Sequence, residues 1–238
     1  MPRLDVMVTK NGLAESRERA QALILAGKVR VGGETVRRPD RSVSDDAAIS
    51  VELGPDFASR GALKLGPALD HFRVDPRGRV AADIGASTGG FTDVLLRRGA
   101  EKVYAIDVGR GLIHWRLRQD PRVVVIERTN ARELDAFPEP ISLMVVDVSF
   151  ISLEKVLPAL RRTGPGAEVV ALFKPQFEVG RADVGKGGIV REPAVIEAAL
   201  RRFRTWCDEN GYGVAGEAAS EVAGAEGNRE IFFHLAPK

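Results

Sequence analysis

The chain has 238 residues, 44% hydrophobic and 29% charged, a make-up that fits a globular protein with a sizeable core and room for one domain plus a small companion. Lysine and arginine outnumber aspartate and glutamate by 35 to 33, so the net charge of +2 gives no overall basic character that would argue for nucleic acid. The single Cys207 excludes an internal disulfide. The opening "MPRLDVMVTKNG" is polar from its third residue, unlike a secretory signal, and the apolar run "ISLMVVDVSFISL" is cut by Asp147 before it could span a membrane. A cytoplasmic protein is expected.

In chain order, "ESRERAQALILAGKVRVGGETV" reads as a helix followed by a hairpin. Ser16 suits an N-cap, Ala20, Leu23 and Ile24 form an apolar helical stripe, and Gly27 ends the helix. "KVRVGGETV" then predicts two short strands around a Gly-Gly turn. Residues 1 to 41 carry nine Lys/Arg against five Asp/Glu, but later acids make residues 1 to 58 neutral. A Gly/Pro-punctuated stretch at 52–61 marks a boundary, giving domains 1–58 and 61–238 with a linker at about 53–60.

Beyond that boundary strands and helices alternate. Strands are predicted at 80–84, 102–107, 122–127, 141–147 and 167–173, with helices in "GFTDVLLRRG" and "SLEKVLPALRRTG". The tail "YGVAGEAAS … REIFFHL" reads as a final antiparallel pair. This rhythm predicts an α/β fold: a Rossmann-like, doubly wound, mostly parallel sheet, preceded by a small α+β module.

Ligands of such sheets bind at the carboxyl ends of the strands. Those ends carry Asp83 with "GASTGG", Asp107, Asp147 and Lys174. In "DIGASTGGF" Ser87 stands where a dinucleotide fingerprint has its second glycine, which disfavours a pyrophosphate and leaves room for a nucleoside cofactor such as S-adenosylmethionine. Asp107, 24 residues after Asp83, is placed to bind ribose hydroxyls or else is a solvated carboxylate in an ordinary tight turn. Asp147 and Lys174 suggest an acid–base pair, although a lone lysine is more often a surface residue. "GRADVGKGGIVREP" (180–193) is a substrate lid or a mobile surface loop. Cys207 is read as packing, and the three histidines share no metal-like spacing, so no metal is expected.

Taken together, "SRGALKL", "DIGASTGGFTDVLLRRGA", "DVGRG", "LRQDPRVVVIERTNAREL", "DVSFISL", "FKPQFEVG" and "GNREIFFHL" resemble the TlyA (haemolysin A-like) ribosomal RNA methyltransferases, through nearly the whole chain and in order. The second part is similar to FtsJ-like 2′-O-methyltransferases of the class I methyltransferase fold, and the first resembles the RNA-binding module named after ribosomal protein S-four. The resemblance implies a catalytic tetrad of Lys64, Asp147, Lys174 and Glu230, with Lys174 accepting the 2′-hydroxyl proton. It implies S-adenosylmethionine held by Asp83, Gly85, Ser87 and Gly89 on the methionine side, Asp107 at the ribose, and Asn130 and Ala131 at the adenine. Arg3, Arg17, Lys28 and Arg30 match positions that contact ribosomal RNA phosphates, though each could be an ordinary surface charge.

The expected substrate is a cytidine in ribosomal RNA, free or in a subunit. The start at "MPRLD" and the end at "FFHLAPK" resemble the family's shorter branch, which modifies the large subunit. No membrane and no obligate protein partner are implied. Three rivals are weaker. A nicotinamide oxidoreductase lacks its second glycine, a pure RNA-binding protein leaves the tetrad unexplained, and a membrane-lysing toxin lacks an export signal and a long basic amphipathic helix.

Overall fold

The computed structural model describes residues 2–14, 16–51, 58–59, 61–224 and 227–238, with the Arg19 side chain left aside. The chain divides into two compact units, Met1–Asp56 and Phe57–Lys238. Most of the expected linker at 53–60 lies outside the described residues. Ala58 is described and goes with the second unit, where its N–H donates to Asp93.

The first unit holds α1 (Leu4–Lys10), α2 (Arg17–Leu25), β1 (Val29–Val31), β2 (Glu34–Val36) and β3 (Ile49–Val51). The expected helix and hairpin form, with Gly27 in the left-handed region at the helix end. Gly32 and Gly33 both have positive φ, as a two-residue hairpin turn requires, and Val31 pairs with Glu34 across it. Two elements were not expected from the sequence, α1 and β3; β3 pairs with β1 to complete a three-stranded antiparallel sheet. Leu4, Met7, Val8, Ala20, Ile24 and Val29 form its core.

The second unit runs α3 (Ala62–Phe72), β4 (Val80–Ile84), α4 (Gly90–Arg97), β5 (Lys102–Ile106), α5 (Trp115–Gln119), β6 (Val123–Ile126), β7 (Leu143–Val146), α6 (Leu153–Thr163), β8 (Glu168–Phe173), α7 (Pro175–Glu178), α8 (Pro193–Glu209), β9 (Tyr212–Ala219) and β10 (Ile231–Pro237). Its sheet has the order β6-β5-β4-β7-β8-β10-β9. The first five are parallel, and β10 and β9 close the sheet antiparallel. The five parallel strands lie within their expected ranges: β4 matches its range, and the others are one to three residues shorter, β7 the most. The chain winds outward from β4 to β6, then returns to the other side of β4 at β7. That reversal opens a crevice beyond the carboxyl ends of β4 and β7.

One face of the sheet packs on α3 and α4, the other on α6 and α8. On α8 the buried positions Ala199, Leu200, Phe203 and Cys207 form one helical stripe. Burial pushes the Cys207 thiol up to about 12, in keeping with a packing role. Phe203 is fully buried, with ring centroids 5.4 Å from Phe173 and 4.8 Å from Phe233. Phe173 immediately precedes Lys174, so this aromatic cluster supports the end of β8. Phe203→Ala should therefore lower unfolding free energy by about 3–5 kcal/mol, measured by denaturant titration.

Candidate active site

β4 ends at the crevice in Gly85, whose φ is +85°. A Cβ there would lie 2.5 Å from the Asp147 carbonyl oxygen, so only glycine lets the two strand ends approach this closely. The main chain locks the contact: Asp147 N–H donates to Ile84 O, and Gly85 and Ala86 N–H both donate to Ile106 O. Gly89, at φ +93°, starts α4 where a Cβ would overlap Leu117. Ser87 takes a left-handed φ of +49° and donates its N–H to Asp107 Oδ2 at 2.8 Å. The turn thus keeps a glycine-like backbone conformation at the position where the sequence lacks glycine.

Asp83 lies fully buried under this turn. Its Oδ2 accepts from Thr92 N–H (2.8 Å) and Thr92 Oγ1–H (2.6 Å), while buried Oδ1 has no hydrogen-bond partner. Burial pushes its carboxyl up to about 7, an effect that the Thr92 hydrogen bonds oppose and the neighbouring Asp147 and Asp107 charges reinforce.

At the end of β8, Lys174 is 8% exposed. Its Nζ lies 2.5 Å from Asp147 Oδ1, an ion-pair contact rather than an aligned hydrogen bond, and donates to Ser149 Oγ at 3.0 Å. The Phe177 ring lies 6.0 Å from Nζ. Pro175 stops the strand and begins α7, whose Glu178 is also buried. Glu178 accepts from Ser152 Oγ (2.7 Å) and Leu153 N–H (2.8 Å), tying α7 to the start of α6, where Ser152 is the N-cap. Burial raises the Glu178 carboxyl.

Across the sheet Ile231 pairs with Phe173, so the next residues on the two strands are Glu230 and Lys174. Buried Glu230 accepts from Lys64 Nζ at 2.6 Å, from the first turn of α3. Lys64 therefore pairs with Glu230, and Lys174 with Asp147.

Two adjoining cavities of about 400 Å³ each share Gly85, Ser87 and Asp147. The first is also walled by Lys64 and Asp83, the second by Asp107, Leu112, Asn130 and Ala131. Asp107 already accepts the N–H groups of Ser87 and Gly109, and its carboxylate keeps lone pairs for a further donor. Asn130 caps a short 3₁₀ turn by accepting from Arg132 N–H. Phe150, a residue the sequence reading passed over, stands at this mouth with φ +64° and 92% exposure, its ring 5.2 Å from that of Phe177. A positive φ on a bulky residue was invisible in the string.

In the first unit, Arg3 and Arg17 both reach Asp5, at 3.1 and 3.0 Å, and Gln21 donates to the same carboxylate at 2.7 Å. The Arg3 hydrogen bond, with help from Gln21 and Arg17, holds the Asp5 carboxyl below the usual range despite burial. Two of the four expected phosphate ligands are thus anchored at their inner side, about half exposed. Lys28 is exposed, and Arg30 donates to Gly33 O at 3.2 Å.

The 180–193 segment is pinned rather than free at its far end. Asn228, 1% exposed, accepts from Val190 N–H (3.0 Å) and donates to Gly188 O (2.8 Å).

Comparison with known proteins gives a consistent picture. The FtsJ-like methyltransferase family matches residues 57–236, and the S4 domain matches residues 2–49. A Mycobacterium tuberculosis relative, the 16S/23S rRNA (cytidine-2′-O)-methyltransferase TlyA, is 47% identical over 98% of this chain and 89% of its own length. Hemolysin A of Brachyspira hyodysenteriae is 41% identical over 98% of this chain and 99% of its own. A solved, hemolysin-named structure from Streptococcus thermophilus superposes with a TM-score of 0.78 at 41% identity, covering all of this chain and 88% of that one. Among the described residues no helix is long and apolar enough to cross a membrane.

Two outcomes test this geometry. Gly85→Ala should lose more than the roughly 1–3 kcal/mol of backbone strain, because the methyl group also collides with Asp147; a thermal melt reads the loss. Between about pH 4 and pH 7 the folded protein keeps the Asp83 proton that the unfolded chain releases, so stability falls as pH rises through that window. Asp83→Asn should remove that component, flattening the unfolding free energy between about pH 4 and pH 7 relative to wild type in ligand-free protein.

Proposed function

This chain belongs to the FtsJ-like methyltransferase family and carries an S4 domain, and from that premise we propose that it transfers a methyl group from S-adenosylmethionine to a cytidine ribose 2′-hydroxyl of ribosomal RNA, with large-subunit RNA the preferred substrate. The observation that carries the reading is the pairing of buried Lys174 with half-buried Asp147, at a strand end that the register sets beside Glu230. Ribosomal RNA as substrate implies a cytoplasmic setting.

The residues fit the cofactor. S-adenosylmethionine is cationic at its sulfonium and amino group, and the first cavity offers Asp83, with an unpartnered buried oxygen, beside Asp147. Gly85, Ser87 and Gly89 would line the methionine side, Asp107 would accept from the ribose hydroxyls, and Asn130 and Ala131 with Leu112 would flank the adenine. When bound, the cofactor supplies an electrophilic methyl carbon on sulfur.

The chain's own part is to hold a hydroxyl and take its proton. Lys174 Nζ accepts the 2′-hydroxyl proton when its lone pair is free, and Asp147, 2.5 Å away, stabilises the ammonium that forms. Ser149 fixes Nζ from a second direction. Lys64 and Glu230 neutralise each other, which offsets the cost of holding two poorly solvated charges beside the site. Phe150 offers an exposed ring on which an unstacked base can rest. In the S4 domain Arg3, Arg17, Lys28 and Arg30 would meet phosphates and so set position rather than sequence.

A second reading, methylation of both subunits, is favoured by the name of the M. tuberculosis relative, which cites 16S and 23S RNA together. Labelled S-adenosylmethionine offered with unmodified large and small subunits separates the two. Label on the large subunit alone supports the preferred substrate, and equal label on both supports the second reading. Lys174→Ala should cut transfer by ~10²–10⁴-fold while leaving cofactor affinity near wild type. Cofactor binding without transfer to any ribosomal RNA would overturn the substrate, and undiminished transfer by Lys174→Ala would overturn the proton acceptor.

A further inference from the structure

On the far side of Glu230 from the helix that carries Lys64 lies a cavity that none of the steps above uses. It measures about 390 Å³ and is bounded by Arg191, Pro193, Ile196, Leu200, Arg229 and Glu230. Three features set its chemistry. Arg191 and Arg229 are exposed at its wall, and among the described residues neither has an ion-pair partner. Pro193 begins the 17-residue α8, so the positive end of that helix dipole belongs to the same rim. Ile196 and Leu200 make the inner wall apolar. The two acidic groups are already engaged, Glu197 with Arg201 and Arg204, and Glu230 with Lys64.

The arginines come from segments far apart in sequence, and buried Asn228 joins them. Its side chain fixes Val190 and Gly188, and its backbone carbonyl accepts from Gly224 N–H. Arg191 follows Val190 directly, and Arg229 follows Asn228. One amide thus fixes the backbone next to both guanidinium groups, while Glu230 comes one residue later.

We propose that this cavity is a nucleotide subsite for the RNA strand that enters the active site. Arg191 and Arg229 bind a backbone phosphate, and the neighbouring base rests on Ile196 and Leu200. The inference rests on the reading of RNA as substrate and adds where the strand beside the target nucleotide is held. Asn228 is a positioning residue: it touches neither phosphate nor reacting atoms and acts through the two arginines. The end of the Gly-rich stretch that the sequence presents as a lid or a surface loop becomes one wall of this subsite.

The test uses the full chain and a short, fluorescently labelled, cytidine-containing oligoribonucleotide, with anisotropy read over a range of salt concentrations. Arg191→Ala with Arg229→Ala should weaken binding by roughly tenfold and lower the salt slope by about two. Lys102→Ala, which removes a charge paired with Glu139 at the start of β5, four strands from β10 in the sheet, should lower neither by a comparable amount. S-adenosylmethionine affinity should stay unchanged in the double variant, which shows that the fold is intact. In turnover, KM for RNA should rise with kcat nearly constant, since neither arginine contacts the 2′-hydroxyl. Asn228→Ala should reproduce the weaker RNA binding with both arginines present, and add little in the double-arginine background. Wild-type affinity and salt slope in the double variant would overturn the subsite. Absence of methyl transfer by wild type, alongside the expected loss in RNA binding, would overturn the proposed reaction and leave the subsite standing.

Discussion

A lysine ammonium at the mouth of a buried strand is unfavourable unless its surroundings replace the water it has lost. Around Lys174 the replacement is specific: a carboxylate at 2.5 Å, a hydroxyl at 3.0 Å and an aromatic face at 6.0 Å. Asp147 and Ser149 both follow β7, while Phe177 lies on α7. The compensation therefore exists only if β7 and β8 are adjacent, in register, and their exit loops are held. Adjacency comes from the parallel pairing of Val146 with Ala171. The loops are held by Glu178, a second buried acid, which reaches back to Ser152 and Leu153 at the start of α6. The Lys174–Asp147 pair thus relies on a buried carboxylate, Glu178, that touches neither of its members.

The same strand edge gathers three carboxylates, and like charges in a poorly solvated crevice oppose one another. Asp83 shows the effect, its proton held by burial and by its acidic neighbours. A cationic ligand relieves what the unliganded protein bears as strain, so the electrostatics that weaken the fold as pH rises towards 7 would favour a sulfonium-bearing cofactor. Gly85 supplies the steric half of the arrangement. Its missing Cβ brings β4 against the Asp147 backbone, so the proposed cofactor pocket is walled by Asp147, the ion-pair partner of the proposed proton acceptor.

The parallel strands were legible because each reads as a near-continuous apolar run, the four inner ones buried on both faces and the edge strand β6 partly so. Their ends were blurred because the last residues, such as Asp107 and Asp147, turn away from the ladder to hold loops. Asp83, Asp107, Asp147 and Lys174 could be found as strand-end residues without any knowledge of a family. Lys64 and Glu230 could not, since they are 166 residues apart in sequence and meet only in the folded chain; resemblance alone pointed to them. β3 is three residues long, too short to show a period. Asp5, Glu178 and Asn228 escaped for one reason: each makes hydrogen bonds with partners remote in sequence, and an isolated acid or amide in a string carries no sign of that.

Asp5 also changes what the basic residues of the S4 domain can be expected to do. Counted from sequence, the first 41 residues offer nine cations to a polyanion. In the folded unit one buried carboxylate holds two of them, which weakens the local positive field. The same contact removes much of the rotamer freedom that a free arginine would lose on meeting a phosphate. Part of the attraction is therefore exchanged for preorganisation, and preorganised phosphate contacts fix register on RNA better than loose ones. A net charge of only +2 is compatible with an RNA-directed protein on these terms. On the proposed reading, what matters is that a few guanidinium groups are preorganised for phosphates, not that the surface is basic throughout.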